Sequence, residues 1–158
     1  MKGISYLEIN GICLQICERD NGISNINYID KIPEVKEKET NLTKECKKQL
    51  LEYFEGKRKV FDIRLDIRAT DFQKKCYKVL SSIEYGKTIS YKEEAKMIGS
   101  YSYARAVGQA NAKNPIPIII PCHRVVHSNG KIGNYTTKLT DCSIDVKKYL
   151  LDLEKNNS

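Results

Sequence analysis

The chain has 158 residues, of which 41% are hydrophobic and 30% are charged, and it carries a formal net charge of +7. This length can bury a sizeable core, either as one compact unit or as two small ones. No apolar run approaches the roughly 18 residues of a membrane-spanning helix, and no signal peptide opens the chain, so we expect a cytoplasmic protein without membrane contact. Its six cysteines are then expected to be free thiols, and their spacing predicts no metal site.

The positive charge is unevenly distributed along the chain. Residues 1–66 contain twelve Lys or Arg and twelve Asp or Glu, whereas residues 67–158 contain fifteen and eight. An excess confined to the second part favours an anionic partner for that part, with an ordinary solvated basic surface as the alternative.

Residues 1–66 predict a small structural α+β domain with few strands and one helix. Two alternating apolar runs, residues 4–9 and 12–17, flank Asn10-Gly11, a dipeptide typical of a tight type I′ hairpin turn. A third strand is expected over residues 25–29. Apolar residues then recur at helical spacing up to Phe54, and residues 61–67 suit a last strand or an extended linker. No acid, base and nucleophile converge here, so the domain is expected to carry no chemistry.

Residues 67–158 predict a mostly helical domain that contains a helix-turn-helix. Thr70 and Ser90 each precede a helical pattern, with Gln73 and Glu93 three residues later, and each pair matches a capping box. The second of these helices should end at Gly99. A third helix, capped by Ser100 or Ser102, should extend to about residue 112, which gives two short helices joined by a tight turn.

The helix that ends near residue 112 consists mainly of alanine and glycine. Only Arg105 and Gln109 offer long side chains, so its backbone could approach a DNA groove closely. A small-residue helix packed tightly inside the protein is the alternative, and Gly108 at its middle would suit that packing too.

A cysteine and a histidine follow the next apolar run. Asn114-Pro115 ends the helix, residues 116–120 should be buried, and Cys122-His123-Arg124 then emerges at the edge of the core. A thiol becomes strongly nucleophilic only as the thiolate, so a neighbouring base or cation should lower its pKa from roughly 8.5, by about two units for reaction near neutrality. The alternative is a buried structural cysteine beside an exposed histidine.

Four strings of residues carry a family resemblance. They are ISYKEEAKMIG, ARAVGQANAKNPIPIIIPCHRVV, GKIGNY and LLDLE, in this order and at these separations. The region from about residue 70 to residue 154 resembles the methylated-DNA-protein-cysteine methyltransferases, also called O6-alkylguanine-DNA alkyltransferases. The resemblance is most specific over residues 104–126, while the first 66 residues match in length and character only.

The resemblance implies a role for individual residues. Cys122 would accept the alkyl group, His123 would take its proton through a water, and Glu154 would orient His123. Tyr91 would donate toward the extruded guanine, and Arg105 would fill the space left in the duplex. The remaining implied residues are Ala106, Gln109 and Arg124 at the DNA, and Pro121, Asn114, Tyr135 and Thr136 around the pocket.

The sequence departs from the family pattern after Tyr135. Residues 136–138 stand where the family usually has a pair of glycines, and the stretch to the last helix is about five residues longer. Asp141 or Ser143 is expected to cap that helix. Tyr101 occupies a position where the family usually has proline.

The resemblance implies DNA repair by direct reversal. An alkyl group would pass from O6-alkylguanine, and from O4-alkylthymine, in double-stranded DNA to Cys122, once per molecule and without a cofactor, in a monomeric protein. Three alternatives stay open: a related lesion sensor that binds without transfer, a helix-turn-helix regulator, and a Cys-His hydrolase. The sensors generally lack the cysteine, the helix offers few side chains to read bases, and a hydrolase would turn over repeatedly.

Overall fold

The computed structural model describes residues 1–133 and 145–158. Those up to Arg68 form one compact unit, and those from Ala69 onward form a second. The predicted α+β fold is confirmed, with a small sheet in the first unit and mostly helices in the second. The division into a structural domain, residues 1–66, and a DNA-binding and alkyl-transfer domain, residues 67–158, stays a prediction. No helix among the described residues is long and apolar enough to cross a membrane.

The first unit is an antiparallel sheet of order β1-β2-β3 that packs against one helix. Asn10 and Gly11 both have positive φ angles, 52° and 82°, as a type I′ turn requires. Residues 61–67 form no strand, and Leu65 makes one isolated bridge. Of the two forms expected for this stretch, a last strand or an extended linker, it is therefore the extended linker. The elements are β1 (Gly3–Ile9), β2 (Ile12–Arg19), β3 (Gly22–Ile29) and α1 (Asn41–Phe54).

The second unit is built on helices whose starts match the sequence patterns. Thr70 and Ser90 both form the predicted capping boxes, and Gly99 ends the second helix. A short 3-10 turn, Tyr101–Tyr103, is capped by Ser100 and leads directly into the next helix. The elements are α2 (Asp71–Ser81), β4 (Ile89–Ser90), α3 (Tyr91–Ile98), α4 (Ala104–Ala112), β5 (Val125–Val126) and α5 (Val146–Asn157).

The expected cap of the last helix was wrong. Helix α5 begins at Val146, and the Asp145 side chain accepts a hydrogen bond from the Lys148 amide at 3.2 Å. Asp145 lies directly before the first helical residue, where a capping carboxylate reaches the free amides; Asp141 and Ser143 precede it by too many residues. Both of those residues lie outside the described part of the chain.

Candidate active site

The loop before Cys122 is pinned to the core of the second unit. Ile116, Ile118 and Ile120 are at most 1% exposed. The side chain of Asn114 makes two hydrogen bonds to this loop. Its Nδ2 donates to the Ile120 carbonyl at 2.8 Å, and its Oδ1 accepts from the Ile116 backbone amide at 3.0 Å. These bonds hold Ile118 at a φ of 75°, which a β-branched residue adopts only under constraint. The loop therefore gives the cysteine a fixed position.

Cys122, His123 and Arg124 form a single 3-10 turn that follows the buried Pro121. The turn is closed by a hydrogen bond from the Arg124 amide to the Pro121 carbonyl at 3.0 Å. Burial raises the pKa of the Cys122 thiol to about 11, although Asn114 and Lys147 act in the opposite direction. The expected lowering of this pKa was wrong, because the loss of solvation outweighs the nearby positive charge. In the resting site the thiol keeps its proton.

Glu154 joins the histidine to the last helix. Its Oε2 lies 2.5 Å from His123 Nε2, and both side chains are buried. Burial alone would raise the pKa of Glu154, but hydrogen bonds from His123 and Arg124 lower it to about 2. Glu154 is therefore an anion, and His123 Nε2 carries the hydrogen that it accepts.

The other nitrogen of His123 is left with its lone pair. Burial lowers the pKa of His123, so the ring is neutral and Nδ1 is unprotonated when Nε2–H points at Glu154. Nδ1 is buried and has no hydrogen-bond partner among the residues that the structure describes. The ring is consequently held as a base with its accepting atom unused.

Arg124 does not point toward DNA, and its prediction as a DNA contact was wrong. The side chain is buried, its Nε donates to Glu154 Oε1 at 2.8 Å and its Nη2 to Oε2 at 3.1 Å. Nη1 donates to the Ile83 carbonyl at 2.7 Å. A guanidinium that grips a carboxylate on two sides inside the protein has no nitrogen left for a phosphate. Its charge instead stabilises the anionic form of Glu154.

A cavity of about 700 Å³ opens in front of Cys122. This volume lies in the range of sites that enclose a small organic ligand. Its walls come from the first residues of α3, the exposed side of α4 and the turn after β5. The lining residues include Tyr91, Lys92, Arg105, Gln109, Asn111 and Cys122.

Helix α4 turns one side to the core and the other to solvent. Val107, Ala110 and Asn111 are buried, whereas the predicted DNA contacts Arg105, Ala106 and Gln109 are all exposed. Among the residues that the structure describes, a Cβ at Gly108 would meet only the Tyr91 ring outside its own helix, at an ordinary 3.9 Å. Tight packing at Gly108 therefore does not explain the small residues of this helix. This removes one argument for the alternative that the helix is packed tightly inside the protein.

Tyr91 has a buried lysine behind it that the sequence reasoning missed. Lys147 is 2% exposed, and its Nζ donates to the Tyr91 hydroxyl at 3.3 Å. Burial lowers the pKa of Lys147 to about 8 and raises that of Tyr91 to about 12. Lys147, Leu150 and Glu154 recur at helical spacing on the buried side of α5, and this periodicity was the signal for its burial.

The structure thus brings together most of the predicted catalytic and pocket residues. Cys122 and Tyr91 both line the cavity, His123 follows Cys122 in the same turn and contacts Glu154, and Asn114 supports the loop. Tyr135 and Thr136 lie outside the described residues. Besides Lys147, the sequence reasoning missed two buried residues, Asn111, which lines the cavity, and Glu94, to which Asn111 is hydrogen-bonded.

Comparison with known proteins identifies the same two parts of the chain. Residues 71–156 match the family model of the 6-O-methylguanine DNA methyltransferase DNA-binding domain, and residues 13–67 match that of its ribonuclease-like domain. A methylated-DNA–protein-cysteine methyltransferase of Methanosarcina barkeri is 50% identical over 114 residues, 72% of this chain and 69% of that protein. The constitutive one of Bacillus subtilis is 38% identical over 130 residues, 82% and 76%.

Solved structures agree with this assignment over almost the whole chain. The O6-methylguanine methyltransferase of Mycobacterium tuberculosis superposes with a TM-score of 0.83 at 35% identity, covering 98% of this chain and 93% of that one. The same enzyme in complex with DNA gives 0.82 at 35% identity, covering 97% and 92%. From its sequence and its fold alike, the chain belongs to the 6-O-methylguanine DNA methyltransferase family.

Proposed function

We propose that this protein repairs alkylated DNA by moving the alkyl group from O6-alkylguanine, and from O4-alkylthymine, onto Cys122. The observation that carries the proposal is the buried thiol at one end of the cavity, next to a histidine whose Nδ1 is unprotonated and whose Nε2 is held by Glu154. Membership of the family supports the same reaction. Because the substrate is cellular DNA, we place the protein in the cytoplasm.

The chemistry follows from the protonation states in the site. The Cys122 proton leaves toward His123 Nδ1, through a water, and Glu154 stabilises the imidazolium that forms. The sulfur then bonds to the alkyl carbon while the bond from that carbon to guanine O6 breaks. Tyr91 supplies the proton that the departing guanine takes, and the hydrogen bond from Lys147 stabilises the tyrosinate left behind. A thioether is chemically stable, so each molecule reacts once.

The helix-turn-helix presents the exposed side of α4 to the DNA. Arg105, Ala106 and Gln109 lie on that side, and Arg105 and Gln109 also line the cavity. A base must leave the stack before its O6 can reach a buried thiol, and a side chain inserted at the vacated place opposes its return. Arg105 has the length and position for this role. Tyr135 and Thr136 are proposed to complete the pocket for the extruded base.

Intact-protein mass measures the proposed reaction directly. Equimolar protein and duplex DNA with one O6-methylguanine should give a single added methyl group on Cys122, and a second portion of DNA should add nothing. Cys122→Ala should gain no mass while still binding the DNA. A wild-type protein that binds the lesion without gaining mass would instead be a lesion sensor. Repeated release of product would indicate a hydrolase.

Lys147 is expected to raise the reactivity of Cys122 through its charge. Lys147→Met keeps the length of the side chain but removes the positive charge that lowers the thiol pKa. A change of about one pKa unit corresponds to roughly a tenfold slower single-turnover transfer near neutral pH. The matched control is Lys148→Met, because Lys148 is the next residue, is 59% exposed and forms a surface ion pair with Asp152. Equal rates for the two variants would contradict the role of Lys147.

A further inference from the structure

Glu94 is a buried acid that the proposed reaction does not use. It lies on the inward side of α3, and its side chain is completely buried. None of the ion pairs among the described residues includes it. An ionised carboxylate in such a place has lost its water without gaining a cation, so the neutral form is favoured.

The neighbouring side chain shows what a proton on Glu94 would do. Asn111 on α4 donates from Nδ2 to Glu94 Oε1 at 2.7 Å. The two other oxygens of the pair, Glu94 Oε2 and Asn111 Oδ1, are buried and have no partner among the described residues. Both are acceptors while Glu94 is an anion, so neither can satisfy the other. A single proton on Oε2 makes it a donor to Oδ1 and closes a reciprocal acid–amide pair.

We propose that Glu94 is a positioning residue that works in its protonated form, holding Asn111 in the cavity wall so that alkyl transfer requires the neutral acid. Asn111 lines the same cavity as Cys122. The pair also ties the helix that starts with Tyr91 to the helix that carries Arg105. Loss of the proton would leave two buried acceptors without a donor among the described residues and loosen that tie.

Charge acts in the same direction as geometry. An anionic Glu94 raises the pKa of Cys122 and that of Tyr91, so it opposes both the thiolate and the proton donor. Burial raises the pKa of Glu94 to about 7, which places its titration in the working range of most proteins. Proton loss from Glu94 should therefore slow transfer as the pH rises through neutrality.

Other titratable groups around Glu94 either have a pKa far from that of Glu94 or can be tested by their own substitution. Cys76 on α2 interacts with Glu94, and burial raises its pKa to about 12. Lys147 on α5 contacts Tyr91 and has a pKa of about 8, so it must be tested separately. Tyr77 on α2 is also buried, and burial raises its pKa to about 12. Among the described residues, the other elements that contact α3 most add no buried titratable group: the buried residues of α4 are Val107, Ala110 and Asn111, β4 and β5 contain only isoleucine, serine and valine, and the tyrosines of the 3-10 turn are exposed.

The experiment compares single-turnover methyl transfer by the full chain with that of Glu94→Gln across pH. This inference rests on the proposed function. Glutamine can form both hydrogen bonds of the pair at every pH, so the ratio of the wild-type rate to the variant rate should fall at least about fivefold between roughly pH 6 and pH 8.5. Glu94→Leu, which cannot form the pair, should be slower than Glu94→Gln throughout. The matched control, Glu93→Gln, changes the exposed neighbour and should give a flat ratio.

Each result decides between explanations. A ratio of wild-type to Glu94→Gln rates that does not change with pH would overturn the inference. So would a pH-dependent loss of rate that Glu94→Gln retains and only Lys147→Met removes, because Lys147 would then be the group that titrates. A protein that transfers no methyl group at any pH would contradict the proposed function and remove this inference with it. A readout without DNA separates the two: the infrared carbonyl band of a protonated carboxylic acid should titrate in the wild type and be missing in Glu94→Gln. Absence of that band near pH 6, where ordinary carboxyl groups are ionised, would also overturn the inference.

Discussion

Glu154→Gln is expected to lower the free energy of unfolding by about 3–5 kcal/mol and to slow methyl transfer severely. The amide leaves the Arg124 guanidinium inside the protein without a counter-charge, although it keeps the volume of Glu154. It also removes the anion that orients His123 and stabilises its charged form. Urea unfolding at neutral pH and single-turnover transfer measure the two effects.

Two further variants test the reason for this loss of stability. Asp152→Asn neutralises an acid on the exposed side of the same helix, where the partner is a surface lysine, and should change stability by less than about 1 kcal/mol. Replacing Arg124 by Met in the Glu154→Gln background removes the unpaired cation and should recover part of the stability. If the double variant is no more stable than the single one, the unpaired charge is not the cause.

The same carboxylate makes stability depend on pH in a defined direction. The pKa of Glu154 falls from an ordinary 4.5 to about 2 in the folded protein. Its contribution, about 3 kcal/mol, is present above the unfolded-state pKa and is lost as the pH falls from about 4.5 toward 2. Glu154→Gln should therefore lose less stability than the wild type over this interval. Parallel acid titrations of the two proteins would contradict the assignment.

The second large effect is expected at Arg105, and only with duplex DNA. If this side chain holds the place of the extruded base, Arg105→Ala must extrude the base without that support, at a cost of about 2–3 kcal/mol. Such a cost corresponds to roughly a 30- to 150-fold slower transfer from a duplex. Transfer from a single strand, where the base is already unpaired, should fall much less.

The comparison between the two substrates separates insertion from simple charge attraction. Lys92 also lines the cavity and is exposed, so Lys92→Ala removes a positive charge at the same mouth. This variant should weaken binding to both substrates by similar factors, and the difference in affinity from the wild type should shrink as the salt concentration rises. Arg105→Lys retains the charge with a thinner side chain. Its rate of transfer from the duplex should lie between the rates of the wild type and of Arg105→Ala. Equal losses on duplex and single strand for Arg105→Ala would reject the insertion role.

Local patterns predicted the parts of this fold that depend on a few neighbouring residues. The capping boxes at Thr70 and Ser90 and the hairpin turn at Asn10-Gly11 each satisfy free backbone groups within four residues, so they can be seen in the sequence. The meeting of His123 with Glu154 spans 31 residues and was expected only from the family resemblance.

Burial of polar side chains could not be predicted in the same way. Arg124, Glu94 and Lys147 all belong to residue types that are usually exposed, and each is buried because a partner comes from another element. For Glu94 that partner, Asn111, is 17 residues away on the next helix. The pKa of Cys122 was misjudged for the same reason, since its value depends on how deeply the thiol is buried.

The placement of Glu154 on the last helix also affects when the protein acquires its reactivity. The thiol, the histidine and the arginine lie in one turn, but the carboxylate that orients them arrives only when α5 packs against that turn. During synthesis on the ribosome, a chain that has completed residues 122–124 still lacks this partner. Until α5 has been synthesised and docks, no carboxylate orients His123 as a base for the Cys122 thiol, so the site is completed only late in synthesis.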